Sequence, residues 1–260
     1  RQGIGIGLGI VVLLIVRAVP YQLWRRVIPF GLATTLVLLI AVLVPGVGVS
    51  ANGSTRWVGV GPITFQPSEL LKLAMLLYTA DVIAQRQREL DRPARTLAPV
   101  LLVFALFGSL VLLQPDLGSV IVAGGITLGV LFIGGVSLGP LAGSAFVGIT
   151  LATVLSMTEE YRRARLLAFV DPWADPLNTG YQTIQSMVGI ASGGITGVGV
   201  GQGRAKWGFL PESHTDFIFA IIGEETGFAG AIIVVTLFAL FAAVGVSIAF
   251  RAPDMFSRLL

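Results

Sequence analysis

The sequence predicts an all-α fold, a polytopic transmembrane helical bundle with one large extracytoplasmic loop, on three observations. Hydrophobic residues make up 55% of the 260-residue chain and charged residues 12%, and the mean hydropathy is +0.88. No soluble interior of this size could hold so much apolar surface. Seven apolar runs are long enough to cross about 30 Å of hydrocarbon, given roughly 20 helical residues per crossing. Arginines gather in alternate short connections, as expected for loops on the cytoplasmic side. With no cysteine, disulfides, thiolate metal sites and cysteine nucleophiles are excluded. The net charge of +3 follows from loop topology and does not call for a nucleic-acid partner. The chain opens on Arg1 and enters an apolar run at once, without signal-peptide features, and reads as an internal fragment.

The runs fall near residues 4–19, 28–44, 67–84, 97–113, 117–134, 139–156 and 217–250. The first carries Gly3, Gly5, Gly7 and Gly9, whose GxxxG spacings suit close helix packing. The uncharged stretch from Leu117 to Thr158 is too long for one crossing and is divided at Gly134-Gly-Val-Ser-Leu-Gly-Pro140. The last run is long for one helix, so its first turns, with Glu224 and Glu225, are expected in a protein-lined cavity. Arg17, Arg25 and Arg26 mark one cytoplasmic loop, Arg86, Arg88, Arg92 and Arg95 a second, Arg251 and Arg258 a third. Residues 45–66, the Pro115 region and 157–215 then face outward. With no repeat and no long linker, residues 1–260 read as a single membrane domain containing the 157–215 loop.

That loop holds Arg162, Arg163, Arg165, Arg204 and Lys206, a cationic outer face that an anionic ligand would explain. Gln66-Pro-Ser-Glu-Leu-Leu-Lys72 opens a helix, with Pro67 in the first turn and Glu69 near the positive helix end. Glu69 and Lys72 form either an ion pair fixing helix packing or part of a polar outer cavity. In Gln114-Pro-Asp-Leu-Gly118, Asp116 suits an N-terminal cap and also faces outward. The glycines from Gly193 to Gly203 lack the strand-turn-helix context of a nucleotide loop. They fit instead a loop folding back closely over a ligand or other helices. Glu212, His214, Asp216, Glu224 and Glu225 concentrate ionisable groups where a polar segment meets a membrane helix, which marks a functional site. Ser213-His-Thr-Asp216 also has capping-box spacing. Glu212, His214 and Asp216 together could supply a general base.

The chain resembles the SEDS family of polytopic cell-wall polymerases. The matching residues are Asn52-Gly-Ser-Thr-Arg-Trp57, Phe65-Gln-Pro-Ser-Glu69 with Lys72, Gln114-Pro-Asp-Leu-Gly118, Tyr161-Arg162 with Arg165, Asp171-Pro-Trp-Ala-Asp-Pro176, Gly180-Tyr-Gln182 with Gln185-Ser186, Ser192-Gly-Gly194, and Lys206-Trp-Gly-Phe-Leu-Pro-Glu212 running on to Glu225. The Pro-Trp-Ala-Asp-Pro segment resembles the division type more than the elongation type. Thr226 and Ser213 stand where the family usually has leucine and alanine. The family's ten transmembrane helices imply that the first and last two lie outside this chain.

The resemblance implies an inverting peptidoglycan glycosyltransferase that polymerises lipid II outside the cytoplasmic membrane during cell division and releases undecaprenyl pyrophosphate. It makes Asp216 the catalytic base. The substrate-binding positions expected on this reading are Arg162, Arg165, Lys206, Glu69, Lys72, Glu212 and His214. Arg56, Asp116 and Gln185 are expected to be structural or cavity-lining. No metal ligand is assigned, although a divalent cation, magnesium or manganese, could share the pyrophosphate. The implied partners are lipid II, the growing glycan strand, a class B penicillin-binding protein and other division proteins of the inner membrane. A lipid II flippase or a division scaffold is the alternative.

Overall fold

The computed structural model describes all residues except 1, 52–53, 61–62, 209 and 212–214. The elements in order are α1 (Gln2–Ala18), α2 (Tyr21–Leu43), β1 (Gly48–Ala51), β2 (Ser54–Val60), β3 (Ile63–Phe65), α3 (Pro67–Gln85), α4 (Leu97–Leu112), α5 (Leu117–Ile133), α6 (Leu138–Thr158), α7 (Glu160–Val170), α8 (Tyr181–Gly193), α9 (Ile218–Arg251) and α10 (Met255–Leu259). α1 to α6 and α9 coincide with the seven apolar runs. By length and composition α2, α6 and α9 suffice to cross a membrane, while α1, α4 and α5 are shorter apolar helices. The chain is a membrane protein, and its many exposed apolar side chains along these helices are those a hydrocarbon solvent would cover.

The chain is helical as expected, with one small addition. The strands β1, β2 and β3 form an antiparallel sheet in that order, with Val49 opposite Trp57 and Val58 opposite Phe65. Asn52-Gly53 is a strong hairpin signal between β-prone residues, and it is what the helical pattern overshadowed. Within the 157–215 segment lie two helices, α7 and α8.

The residues group into two compact units, 1–152 with 249–260, and 153–248. In the first, α3 is the central helix, with Leu71, Met75 and Ile83 fully buried against α2, α4 and α5. Leu39, Val100, Val111 and Leu131 complete this core. α3 carries Glu69, Lys72 and Asp81, and its neighbours shield it, so it need not be as apolar as the outer helices. α1 is exposed, and a side chain at Gly3, Gly5, Gly7 or Gly9 would meet nothing within 4 Å. α10 folds back onto α3 through Phe256 and Leu259. Tyr21 donates its hydroxyl to Asp254 at 2.7 Å, and the Arg25 guanidinium bonds Asp81 at 2.7 Å while lying 5.4 Å from the Phe256 ring centre.

In the second unit, Gly227 (φ 67°, ψ −168°) interrupts α9. The interruption leaves backbone groups without helical partners, and residues 194–199 supply them. Val198 and Gly199 donate N–H to the Glu224 and Glu225 carbonyls, both at 3.0 Å, while Phe228 and Ala229 donate to the Gly194 and Ile195 carbonyls at 2.9 and 3.1 Å. The glycine-rich loop thus folds back onto a helix break. A Cβ at Gly227 would strike the Gly197 nitrogen and the Ile195 carbonyl.

Gly227→Ala combines a left-handed backbone with that collision and should cost about 3 kcal/mol. Gly129→Ala in α5, where a Cβ meets nothing, should be neutral or slightly stabilising. Thermal unfolding of the detergent-solubilised full-length protein compares them.

Asp254 is held below the ordinary carboxylate value of 3.8, first by the Ser257 backbone N–H and then by the Tyr21 hydroxyl. A carboxylate acidified by folding adds stability above its unfolded value and loses it as pH falls through the folded one. Tyr21→Phe should therefore move the acid release of residues 254–260 to higher pH, read by hydrogen exchange between pH 5 and pH 2 (about the range spanning such a carboxylate).

Candidate functional site

Two polar constellations stand out, one in each unit. In the first, Asp116 caps α5 through the Ser119 backbone N–H at 3.2 Å. It is 6% exposed, so leaving it unpartnered would be costly. Its second oxygen accepts from Ser119 Oγ at 2.7 Å, Gln66 Nε2 at 2.8 Å and Ser68 Oγ at 3.2 Å. Arg56 on β2 lies 3.8 Å from the first oxygen and donates to the Pro115 carbonyl at 2.7 Å. This carboxylate therefore joins the sheet, the start of α3 and the start of α5. Lys72 and Glu69 pair at 2.7 Å one turn further along α3, with side chains 26% and 54% exposed.

In the second unit, Glu224 is 5% exposed and accepts backbone N–H groups from Arg204 at 2.8 Å and Ala205 at 3.1 Å. Glu225 accepts from the Gly201 N–H at 2.9 Å and from Lys206 Nζ at 2.7 Å. These carboxylates hold the loop to the helix break. Lys206, expected as a substrate cation, is engaged in that clamp. α7 presents Arg162 and Arg165 three residues apart on one face. Arg162 donates to the Leu155 carbonyl at 3.3 Å, and Arg165 lies 4.5 Å from the Tyr161 ring centre, which leaves both guanidinium groups with spare donors. Gln185 is half-buried on α8.

The 171–180 turn between α7 and α8 is fixed by Asp175, which accepts from Asn178 Nδ2 at 3.0 Å and from Thr179. The Asn178 bond, followed by the Thr179 N–H, holds its carboxyl below the usual range.

Asp216 lies in the turn just before α9 and is exposed. None of the described residues bonds its carboxylate. α9 starts at Ile218, and the carbonyl of Phe217 just before it accepts from the Ala220 N–H at 3.0 Å. Glu212, Ser213 and His214, and with them the capping-box reading, lie outside the described residues. No described contact joins Asp216 to Arg162, Arg165 or Lys206. Among the described residues, no group of three or more histidine, aspartate or glutamate side chains converges to hold a metal ion.

The family model described as cell cycle protein, covering FtsW, RodA and SpoVE, matches residues 1–260. The chain belongs to the FtsW/RodA/SpoVE family. It is 46% identical over 237 residues to a probable peptidoglycan glycosyltransferase FtsW of Pseudoalteromonas atlantica, covering 91% of this chain and 48% of that protein. It is 37% identical over 260 residues to a protein of the same name from Geobacter metallireducens, covering 100% of this chain and 69% of that one. This FtsW/RodA/SpoVE chain therefore spans about half the length of the first relative and about two thirds of the second. Among solved structures it resembles a chain described under structural coordination of polymerization and crosslinking by a peptidoglycan synthase complex. The TM-score is 0.76 at 30% identity, covering all of this chain and 72% of that one.

Sequence reasoning missed the shared role of Gln66 and Ser68 at Asp116. The available signal was two polar residues flanking Pro67 at a helix start. It expected Glu224 and Glu225 in a protein-lined cavity, and it did not foresee that their oxygens bond residues 201–206.

Removing the Asp116 carboxylate strands four donors and Arg56. Asp116→Ala should cost about 3 kcal/mol. Lys72→Ala, which breaks a solvent-screened pair, should cost no more than about 1 kcal/mol. Thermal unfolding of the two variants in the full-length protein tests the difference.

Proposed function

We propose that this chain carries the reaction centre of a peptidoglycan glycosyltransferase of cell division, polymerising lipid II at the outer face of the inner membrane. The observation that carries the reading is Asp216: an exposed carboxylate with no bond to any described residue, just ahead of a membrane helix, in a chain similar to proteins named as such transferases. In the proposed step, the acceptor sugar's 4-hydroxyl oxygen attacks the anomeric carbon of the lipid-linked donor. Its proton passes to the Asp216 carboxylate. The bond from the anomeric carbon to the pyrophosphate oxygen breaks, and undecaprenyl pyrophosphate leaves with the electron pair. Attack opposite the leaving group inverts the anomeric centre.

Arg162 and Arg165 are the proposed holders of the donor pyrophosphate, since guanidinium groups bind phosphate through charge-assisted, often bidentate bonds. Lys206 would join them only by sharing its ammonium with Glu225. Glu69 and Lys72, with Glu212 and His214, are proposed to contact the sugars and peptide, and Gln185 to line the cavity. A divalent cation could screen the pyrophosphate, and the proposed step does not pass through it. The proposed partners are the growing glycan strand, a class B penicillin-binding protein that cross-links it, and other septal division proteins.

The test reconstitutes the full-length protein with its penicillin-binding partner and fluorescent lipid II. Asp216→Ala and Asp216→Asn should reduce polymer formation by on the order of 100-fold or more, the scale of a lost general base, with membrane level and partner binding unchanged. Polymerisation at the wild-type rate in either variant would refute the assignment.

A further inference from the structure

The α3–α4 connection carries a site that the proposed glycosyltransfer does not use. α3 is 19 residues long, about 28 Å at 1.5 Å per residue. Its ends are therefore roughly one hydrocarbon thickness apart. Asp116 and the sheet lie at the Pro67 end, and residues 86–96 lie at the other. There a cavity of about 530 Å³ is lined by Arg86, Glu89, Arg95, Ala98, Pro99 and Leu102. The connection holds Arg86, Arg88, Arg92 and Arg95 against only Glu89 and Asp91. Arg95 bonds Glu89 at 2.5 Å, and Arg92 approaches the same carboxylate oxygen at 4.0 Å. Arg86 donates to the Arg95 carbonyl. A guanidinium has five N–H donors in a fixed fork, so both cavity arginines keep donors beyond these bonds.

The opposite wall is apolar. Leu102 is 71% exposed and Leu106, one turn further along α4, is 52% exposed. Both are exposed apolar side chains on an apolar helix. Two cationic forks and an exposed leucine thus line one hollow at the start of an apolar helix. A soluble anion would satisfy only the first feature and a neutral lipid only the second.

The geometry points to a binding site for an anionic phospholipid, its phosphate between Arg86 and Arg95 and its acyl chain along Leu102 and Leu106. Glu89 holds Arg95 in place and biases the site against doubly charged anions. Such basic hollows at helix ends are a recurrent means of headgroup recognition.

The full-length protein is placed in nanodiscs containing equal amounts of phosphatidylglycerol and phosphatidylcholine, and the phospholipid it retains is identified by native mass spectrometry. The wild type should retain phosphatidylglycerol in preference to phosphatidylcholine. Arg86→Gln with Arg95→Gln should weaken that preference by about fivefold per arginine, on the order of thirtyfold together. Ala98→Trp keeps every charge and fills the hollow, and it should abolish retention as well. Equal retention of the two lipids by the wild type would overturn the proposal. So would unchanged retention in Ala98→Trp, which would place the effect in diffuse surface charge. Displacement of the lipid by millimolar inorganic phosphate would reassign the site to soluble anions and overturn it too. Ala98→Trp decides the matter even if the double arginine variant does not fold.

Discussion

The break in α9 is the constraint on which the 193–229 segment depends. A helix interrupted at bilayer depth frees backbone donors and acceptors that lipid cannot satisfy, at several kcal/mol each. Here two carbonyls and two N–H groups flanking Gly227 are matched by two N–H groups and two carbonyls of residues 194–199. The pairing is reciprocal, so neither partner is satisfied without the other. The glycines follow from it. A Cβ at Gly193 or Gly197 would strike the backbone of Gly223 or Glu225, so the close approach tolerates no side chain there. Thr226 adds a further local bond, its hydroxyl donating to the Ile222 carbonyl at 2.6 Å just ahead of the break.

The two buried carboxylates, Glu224 and Asp116, solve the same problem in different units. Glu224 accepts two backbone N–H groups from about twenty residues earlier, and Asp116 accepts side-chain donors from Gln66 and Ser68 beside the local Ser119. Glu224 draws Arg204 and Ala205 to the break, and Asp116 draws Gln66, Ser68 and Arg56 to the start of α5. Buried charges of this kind position a framework more than they stabilise it, since desolvation offsets much of the attraction. What they fix is which loops sit at the polar end of each helix set.

Helix identity and placement were legible because hydrocarbon imposes a simple pattern. A run of about 20 apolar residues admits few readings, and the seven runs emerged as helices. The sheet at 48–65 was less legible because its strands are short and its apolar alternation is interrupted at the Val49/Ser50 bulge. α7 and α8 escaped notice because they are too short and polar to register against the membrane helices. The glycine density of 193–203 was read correctly as close folding-back, but its target was not visible. A single Gly227 within a long apolar run does not by itself announce a break. Side-chain roles were the least legible, because spacing shows which groups are near in sequence and not which donors arrive from elsewhere. Glu69 with Lys72 was a local pair and could be read, whereas Asp116 with Gln66 and Arg56 could not.

That distinction bears on the reactive group. The sequence places Glu212, His214, Asp216, Glu224 and Glu225 within one short stretch, and proximity alone would rank them together. The structure divides the described members by what their oxygens already do. Glu224 and Glu225 each accept two donors and hold the loop to the break. Asp216 has no such duty. It precedes the helix, is exposed, and is bonded by none of the described residues. The base proposed for this reaction belongs where its oxygens hold no part of the framework, and among these described carboxylates Asp216 meets that condition.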